Sequence, residues 1–223
     1  MMTNLFSTFD PTTMNNMQMN WIQMMTPLFM IPSVFWMIPS RSNMTMNIIT
    51  KKLSQEMSTL MKNPKATESI LTTSLFINIV LINLPGLTPY TFTSTTHLSI
   101  TLSFALPMWL MPLMYLMIKK NQTLFSHMIP LGTPTLLMPF MVMIETMSNL
   151  IRPITLSVRL AANMIAGHLL ITLLSMNSPE VSTSKQTLII LSLFMLTILE
   201  SAVAVIQSYV FSTLSTLYLS ESS

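Results

Sequence analysis

Ionisable and amide side chains recur at seven-residue intervals in the C-terminal part of this 223-residue chain. Glu145, Arg152 and Arg159 are seven residues apart, and Glu200 and Gln207 repeat that interval. Seven residues are about two turns of an α-helix, so each set shares a helix face. Both sets lie in apolar segments, where an ionisable side chain is costly and indicates a functional site. Carboxylates and an imidazole at such depth suit proton transfer.

The first of these segments is expected to present one polar stripe. A helix advances about 100° per residue, so the same angle returns after 18 positions if Pro153 kinks the helix without ending it. His168 lies nine residues past Arg159, on the opposite side, and is expected to face a different cavity. The stripe comprises Glu145, Asn149, Arg152, Arg159 and Asn163.

The side chains suit different tasks. The Arg159 guanidinium does not deprotonate, so it holds a fixed positive charge that attracts a carboxylate and cannot pass a proton on. Glu145, His168 and Glu200 titrate and, with waters, can relay protons as similar chains do in pumps. The sequence contains neither a Ser-His-carboxylate arrangement nor a glycine-rich phosphate loop, so we expect no catalytic residues and no nucleotide site.

The composition indicates a membrane protein. The chain is 51% hydrophobic with a mean hydropathy of +0.60, and 8% of its residues are charged, against about 25% in soluble domains. Its ten basic residues are scattered, which argues against nucleic-acid binding. There is no cysteine, and the three histidines include no pair at ligand spacing on one helix. We therefore expect no cofactor and no metal.

We predict one all-α, polytopic integral membrane domain over residues 1–223, with about five membrane-embedded helices and one amphipathic surface helix. A first transmembrane helix is predicted over 20–39, kinked at Pro27 and Pro32, with Trp21 and Trp36 near its ends. Residues 44–62 place apolar side chains on one side of a helix and charged side chains mostly on the other, which predicts an amphipathic helix on the membrane surface. Residues 69–118 contain no Asp, Glu, Lys or Arg and are interrupted by a Pro- and Gly-containing turn, which predicts a transmembrane hairpin.

Residues 135–219 are predicted to form a hairpin of two long helices around the polar residues. Segments 135–176 and 185–219 would measure about 63 and 52 Å as helices, so they are either broken or strongly tilted in a bilayer. A hairpin that turns near residue 180 would bring Arg159 level with Ala202. It would also place Asn163 near Ile198 and His168 near Leu193.

The basic residues predict the orientation. The surface helix and the Lys119–Lys120 loop share a side if two spans separate them, which puts the N-terminus outside and the C-terminus inside. We interpret Lys51, Lys52, Lys62 and Lys65 as a contact face for lipid headgroups or other subunits. His97 and His127 are expected in loops.

The segment Ser157–His168, SVRLAANMIAGH, closely resembles the subunit a (subunit 6) family of mitochondrial F-type ATP synthases. The resemblance covers essentially the whole chain and is loosest over Ser42–Thr72. The other matching stretches are Asn4–Pro11, Pro134–Phe140, Ile144–Asn149, Ile151–Pro153 and Glu200–Phe211.

The resemblance implies a stator subunit whose two long, tilted helices curve around a rotating ring of c subunits. Arg159 matches the arginine that faces the ring carboxylate and separates two aqueous half-channels. Glu145 matches the carboxylate of the matrix-side half-channel, and Gln207 matches a residue close to the arginine. Asn163, His168 and Glu200 match the intermembrane-space path, while Arg152 has a weaker match.

The family further implies rotary proton translocation that couples the proton gradient to ATP synthesis in the mitochondrial inner membrane. The chain would then be a non-catalytic subunit of an enzyme complex. The expected partners are the c-subunit ring, other membrane and peripheral-stalk subunits, protons and membrane lipids, with cardiolipin a reasonable candidate. Bacterial relatives exchange the residue types at the positions of His168 and Glu200, which indicates a His-carboxylate pair.

The residues alone leave alternatives open. Arg159 could pair with Glu200 as a structural arginine, and His168 could be a buried structural side chain or bind a metal with Glu200. Glu145 could be an interfacial charge. The chain could also be a secondary transporter or channel, although its halves show no inverted repeat, or a structural assembly subunit.

Overall fold

The computed structural model describes residues 5–13, 17–32, 37–61, 66–88, 91–119, 134, 137–176 and 183–222. Over these residues the chain is helical and contains no strand. Short 3₁₀ turns cover Leu5–Phe9, Met19–Met25 and Ser94–Thr96. The α-helices are α1 (Thr26–Met30), α2 (Arg41–Leu60), α3 (Ala66–Gly86), α4 (Leu98–Lys119), α5 (Met138–Met176) and α6 (Thr183–Ser222).

Four of the described helices, α3 to α6, are long and apolar enough to cross a membrane. Each exceeds the roughly 20 residues that cover a bilayer's hydrocarbon core. The prediction of an all-α, polytopic membrane protein is therefore confirmed.

The segment predicted as the first transmembrane helix is divided into short pieces where the structure describes it. A 3₁₀ turn leads into α1, which has Pro27 in its first turn, a position where proline's missing N–H costs nothing. α1 ends at Met30 because Ile31 precedes Pro32 and takes an extended conformation. Residues 33–36, including Trp36, lie outside the described residues.

Helix α2 corresponds to the predicted amphipathic helix and begins three residues earlier. The Ser40 hydroxyl caps it by accepting a hydrogen bond from the Asn43 backbone N–H at 3.4 Å. Asn43 and Met57 are buried on the face that packs against α3 and α6. Lys51 and Lys52 are exposed on the other side, and residues 62–65 with the other two predicted lysines lie outside the described part.

Helices α3 and α4 form the hairpin predicted over 69–118. The turn between them is compact: residues 93–96 are buried, and the 3₁₀ turn Ser94–Thr96 packs against α5. Pro107 and Pro112 lie inside α4 without ending it. Lys120 and His127 lie outside the described residues.

Helices α5 and α6 contain 39 and 40 residues, or about 58 and 60 Å at 1.5 Å per residue. α5 is one helix through Pro153, so the long segments are not broken at this proline. Both helices are nearly twice as long as the hydrocarbon core is thick.

The long helices pack on one another around a small apolar core. α6 packs against α3, and α5 packs against both α4 and α6. The buried side of α6 carries Ser208, Ser212 and Thr216, whose hydroxyls bond to carbonyls three residues back. Small side chains of this kind let membrane helices approach closely. The core cluster comprises Ile79, Ala105, Leu156, Leu160 and Phe211.

Candidate functional site

Polar side chains of α5 and α6 meet at two levels of the hairpin. At the first level, the Asn163 side-chain amide donates a hydrogen bond to Gln207 Oε1 at 3.0 Å. Gln207 is buried, so its carbonyl oxygen needs this donor within the protein. The bond joins one predicted residue from each helix.

At the second level, His168 Nε2 lies 3.9 Å from Glu200 Oε1. This distance is too long for a direct hydrogen bond but allows one after a small shift or through water. Glu200 is only 4% exposed, and neither carboxylate oxygen has a hydrogen-bond partner within the described residues. His168 also contacts the backbone of Gly86 at the end of α3.

Gly167 makes room for the Glu200 side chain. A Cβ atom at position 167 would lie 2.6 Å from Glu200 Cδ and 3.0 Å from Cγ, and it would overlap Oε1. Only a residue without a side chain lets the carboxylate lie this close to α5. The pattern of polar residues gives no indication of Gly167. Glycine occurs only three times in 223 residues, and a residue type used at positions of close approach draws attention where it is rare.

Arg159 lies on a different side of α5 from the buried pair. Its side chain is exposed, whereas the adjacent Leu160 is 1% exposed and Ser157 is fully buried. Around it, α5 exposes the apolar side chains of Val158 and Ile154 together with the polar side chains of Thr155 and Asn163. The carboxylate oxygens of Glu200 have no partner in the described structure, so the alternative of an Arg159–Glu200 pair is wrong.

The residues of the predicted polar stripe differ in their exposure to solvent. Glu145 and Asn149 are half-buried, whereas Arg159 is exposed. Arg152 is half-buried, and its guanidinium carbon lies 5.4 Å from the centre of the Tyr218 ring, which is cation–π geometry. Arg152 therefore ties α5 to the C-terminal part of α6.

The predicted register of the hairpin is wrong by about two turns. Asn163 meets Gln207 rather than Ile198, and His168 meets Glu200 rather than Leu193. The prediction assumed equal arms on either side of residue 180. With the observed pairs, more than two turns at the start of α6 extend past the end of α5.

The site combines groups that can exchange protons with one that cannot. Glu200 is buried and His168 is half-buried, and both are titratable. Asn163 and Gln207 are polar neighbours that keep their protons, and Arg159 keeps a permanent charge. Within the described ranges no three His, Cys, Asp or Glu side chains come together as metal ligands do. The arrangement suits proton relay through water.

Comparison with known proteins places this chain beside a large set of relatives. A family model described as "ATP synthase A chain" matches residues 14–220. Proteins named "ATP synthase subunit a" from Drosophila melanogaster and Locusta migratoria are each 52% identical over 222 and 223 residues, covering 99% of both chains. A protein of the same name from Artemia franciscana is 48% identical over 221 residues, covering 99% of this chain and all of its own.

Proposed function

We propose that this chain, which belongs to the ATP synthase A chain family, conducts protons through two half-channels beside a rotating ring of c subunits. Membership of the family places its action in the membrane sector of an ATP synthase. The chain spans the mitochondrial inner membrane several times. Its other partners are membrane and peripheral-stalk subunits of the same complex. Lipids, among them cardiolipin, contact its outer faces.

The separation of the His168–Glu200 pair from Arg159 is the observation that best supports this function. Glu200 is buried against Gly167, and His168 lies beside it on the same side of α5. Arg159 is exposed on another side. A proton can therefore be accepted inside the subunit while a fixed positive charge faces whatever packs against the outside of α5.

The path begins on the intermembrane-space side, at His168 and Glu200. It continues past Asn163 and Gln207, whose hydrogen bond lies roughly one turn closer to Arg159. There the proton neutralises a carboxylate of the ring, which can then face lipid without the cost of a buried charge. After nearly a full turn the ring carboxylate releases the proton into the second half-channel, where Glu145 receives it.

Arg159 prevents the two half-channels from short-circuiting. The guanidinium attracts the deprotonated ring carboxylate and does not itself release a proton at any working pH. A proton therefore crosses only by riding on the ring. Each charge that moves through 100 mV releases about 2.3 kcal/mol, so several protons per turn supply the energy for ATP synthesis elsewhere in the complex.

The orientation follows from the basic residues. Lys51 and Lys52 on α2 and Lys119 at the end of α4 lie on the matrix side under the positive-inside rule. The N-terminus then lies in the intermembrane space and the C-terminus in the matrix. The turn between α3 and α4 faces the intermembrane space, on the same side as His168 and Glu200.

Replacement of Arg159 tests the central step. We expect Arg159→Ala to abolish coupled ATP synthesis in inner-membrane vesicles while the complex still assembles, because no other permanent charge lies at this position. The matched control is Thr155→Ala, which changes an exposed residue one turn earlier on α5 and should leave synthesis at the parental rate. Unchanged synthesis in Arg159→Ala would refute the proposal.

The entry path has its own test. The double variant Glu200→Ala with His168→Ala should slow proton uptake from the intermembrane-space side. Passive proton flux through the membrane sector, measured after the catalytic sector has been stripped off, reports this step without ATP chemistry. Normal passive flux would remove Glu200 and His168 from the path.

A further inference from the structure

His97 joins two parts of the chain that are far apart in the sequence. It directly precedes α4, and its ring Nε2 lies 3.1 Å from the backbone carbonyl oxygen of Phe9, 88 residues away. A carbonyl oxygen only accepts hydrogen bonds, so Nε2 carries the proton and donates it to this bond. The proposed proton path makes no use of this histidine.

Two aromatic rings contact the imidazole of His97. The centres of the Trp21 and Phe92 rings lie 5.1 Å and 5.4 Å from its centre. Trp21 and Phe92 also meet each other edge to face, with their centres 5.7 Å apart. Aromatic pairs are favourable at separations of about 4.5–7 Å, so the three rings stabilise one another as a cluster.

The N-terminal residues form a strap of two limbs, residues 5–13 and 17–25. The limbs are joined where the backbone N–H and the hydroxyl of Thr13 both donate hydrogen bonds to the Met17 carbonyl oxygen, at 2.8 and 2.7 Å. The first limb supplies the carbonyl that binds His97, and the second supplies the tryptophan ring. His97 therefore contacts both limbs of the strap.

The strap also contacts two separate elements of the helical bundle. Its first limb packs against α5 through Leu5–Phe9, and its second limb packs against the Ser94–Thr96 turn through Met19–Met25. The strap thus links the helix that carries most of the candidate site to the turn between α3 and α4. His97 lies at the end of that turn, where the two limbs meet it.

We propose that the N-terminal strap braces α5 against the α3–α4 turn and that His97 fastens the strap. His97 is a positioning residue, because it holds the segment that contacts α5 and touches none of the polar groups of the site. The inference goes beyond the proposed function, since it concerns how α5 is held and does not depend on the route of the proton.

The absence of cysteine from this chain allows opening of the strap to be measured. Thr95 is 2% exposed in the turn against which the strap packs. In the purified, detergent-solubilised complex, Thr95→Cys should react slowly with a polyethylene-glycol maleimide, which shifts the labelled subunit on a gel. Addition of His97→Ala should make labelling about tenfold faster, since a tenfold change corresponds to about 1.4 kcal/mol, the size of the lost hydrogen bond and ring contacts.

Three further variants make this measurement specific. His97→Gln places an amide N–H near the position of Nε2, so labelling of Thr95→Cys should stay close to its original rate. Trp21→Leu removes the ring on the strap and leaves His97 in place, so it should accelerate labelling as His97→Ala does. Ser212→Cys lies on the fully buried side of α6 and should stay unlabelled in every background.

The brace itself is tested by ATP synthesis in the variants without the reporter cysteine. A misplacement of about 1 Å caused by a remote mutation can cost up to about 100-fold in rate, so His97→Ala should lower synthesis about threefold or more at normal assembly, and His97→Gln should restore it. Equal labelling of Thr95→Cys with and without His97→Ala or Trp21→Leu would overturn the strap. Equal acceleration at Ser212→Cys would also overturn it, because the helices themselves would then have loosened. Fast labelling of Thr95→Cys with unchanged synthesis would overturn the brace.

Discussion

The fit between Gly167 and Glu200 predicts a large effect from one added methyl group. In Gly167→Ala the new Cβ would lie 2.6 Å from Glu200 Cδ. Ordinary contacts begin near 3.4 Å, so the carboxylate carbon must move by roughly 0.8 Å or α5 and α6 must separate. Either response disturbs the Glu200–His168 distance of 3.9 Å without removing a titratable group.

The size of the effect follows from the cost of overpacking. Extra methyl groups in a well-packed interior cost about 1–3 kcal/mol. If that energy raises the barrier for proton entry, the rate falls roughly 5- to 150-fold at 1.36 kcal/mol per factor of ten. A displacement of about 1 Å at a reacting group can cost a similar factor.

The assay is passive proton flux through the stripped membrane sector, followed with a pH-sensitive dye in potassium-loaded vesicles. We expect Gly167→Ala to assemble in normal amount and to conduct at a reduced rate. Glu200→Asp removes one methylene group, so the double variant Gly167→Ala with Glu200→Asp should recover part of the loss. That recovery distinguishes a steric effect on Glu200 from a general disturbance of α5.

Two results would contradict this explanation. Normal flux in Gly167→Ala would mean that the Glu200 position is not critical for entry. If the double variant is slower than both single variants, the methyl group acts elsewhere, because independent effects add whereas a relieved clash is less than additive.

Two further contacts predict measurable coupling. Asn163→Leu and Gln207→Leu should each slow ATP synthesis and destabilise the complex, since the hydrogen bond between the two side chains contributes about 1 kcal/mol. The double variant should be no worse than the poorer single variant. Additive losses would show that the contact at 3.0 Å does not matter. Tyr218→Leu should lower the thermal stability of the complex by about 1 kcal/mol, because the ring beside Arg152 is lost. Tyr218→Phe keeps the ring and should stay near the parental melting temperature. Equal losses of stability in both variants would exclude the cation–π contact.

The fold was predictable wherever apolar length was the deciding property. The hairpin α3–α4 and the long helices α5 and α6 follow from stretches that carry little or no charge. The segment around α1 was less predictable because Pro27 and Pro32 act in opposite ways. Pro27 begins the helix, whereas Pro32 imposes an extended conformation on the residue before it, Ile31, and so ends the helix.

The types and spacing of the polar side chains single out the four that meet between α5 and α6, but their pairing could not be predicted. Pairing depends on the register between α5 and α6, and helix periodicity says nothing about the relative position of two helices. In the structure the helices meet where Gly167 leaves room for Glu200. Small residues let membrane helices approach closely, and here that information lies in a residue without a side chain.

The positions of the charges also support the proposal that Arg159 meets a partner from outside the chain. Arginine at the centre of a membrane helix costs about 2.5–3.5 kcal/mol on the insertion scale, and such residues normally pair within a bundle or face water. Arg159 instead lies on an exposed surface of α5, whereas the carboxylate of Glu200 is buried without an arginine partner. A structural arginine would have been placed beside that carboxylate. We therefore expect the exposed guanidinium to meet an anionic group from outside the chain, and the proposed ring of carboxylates would supply one repeatedly.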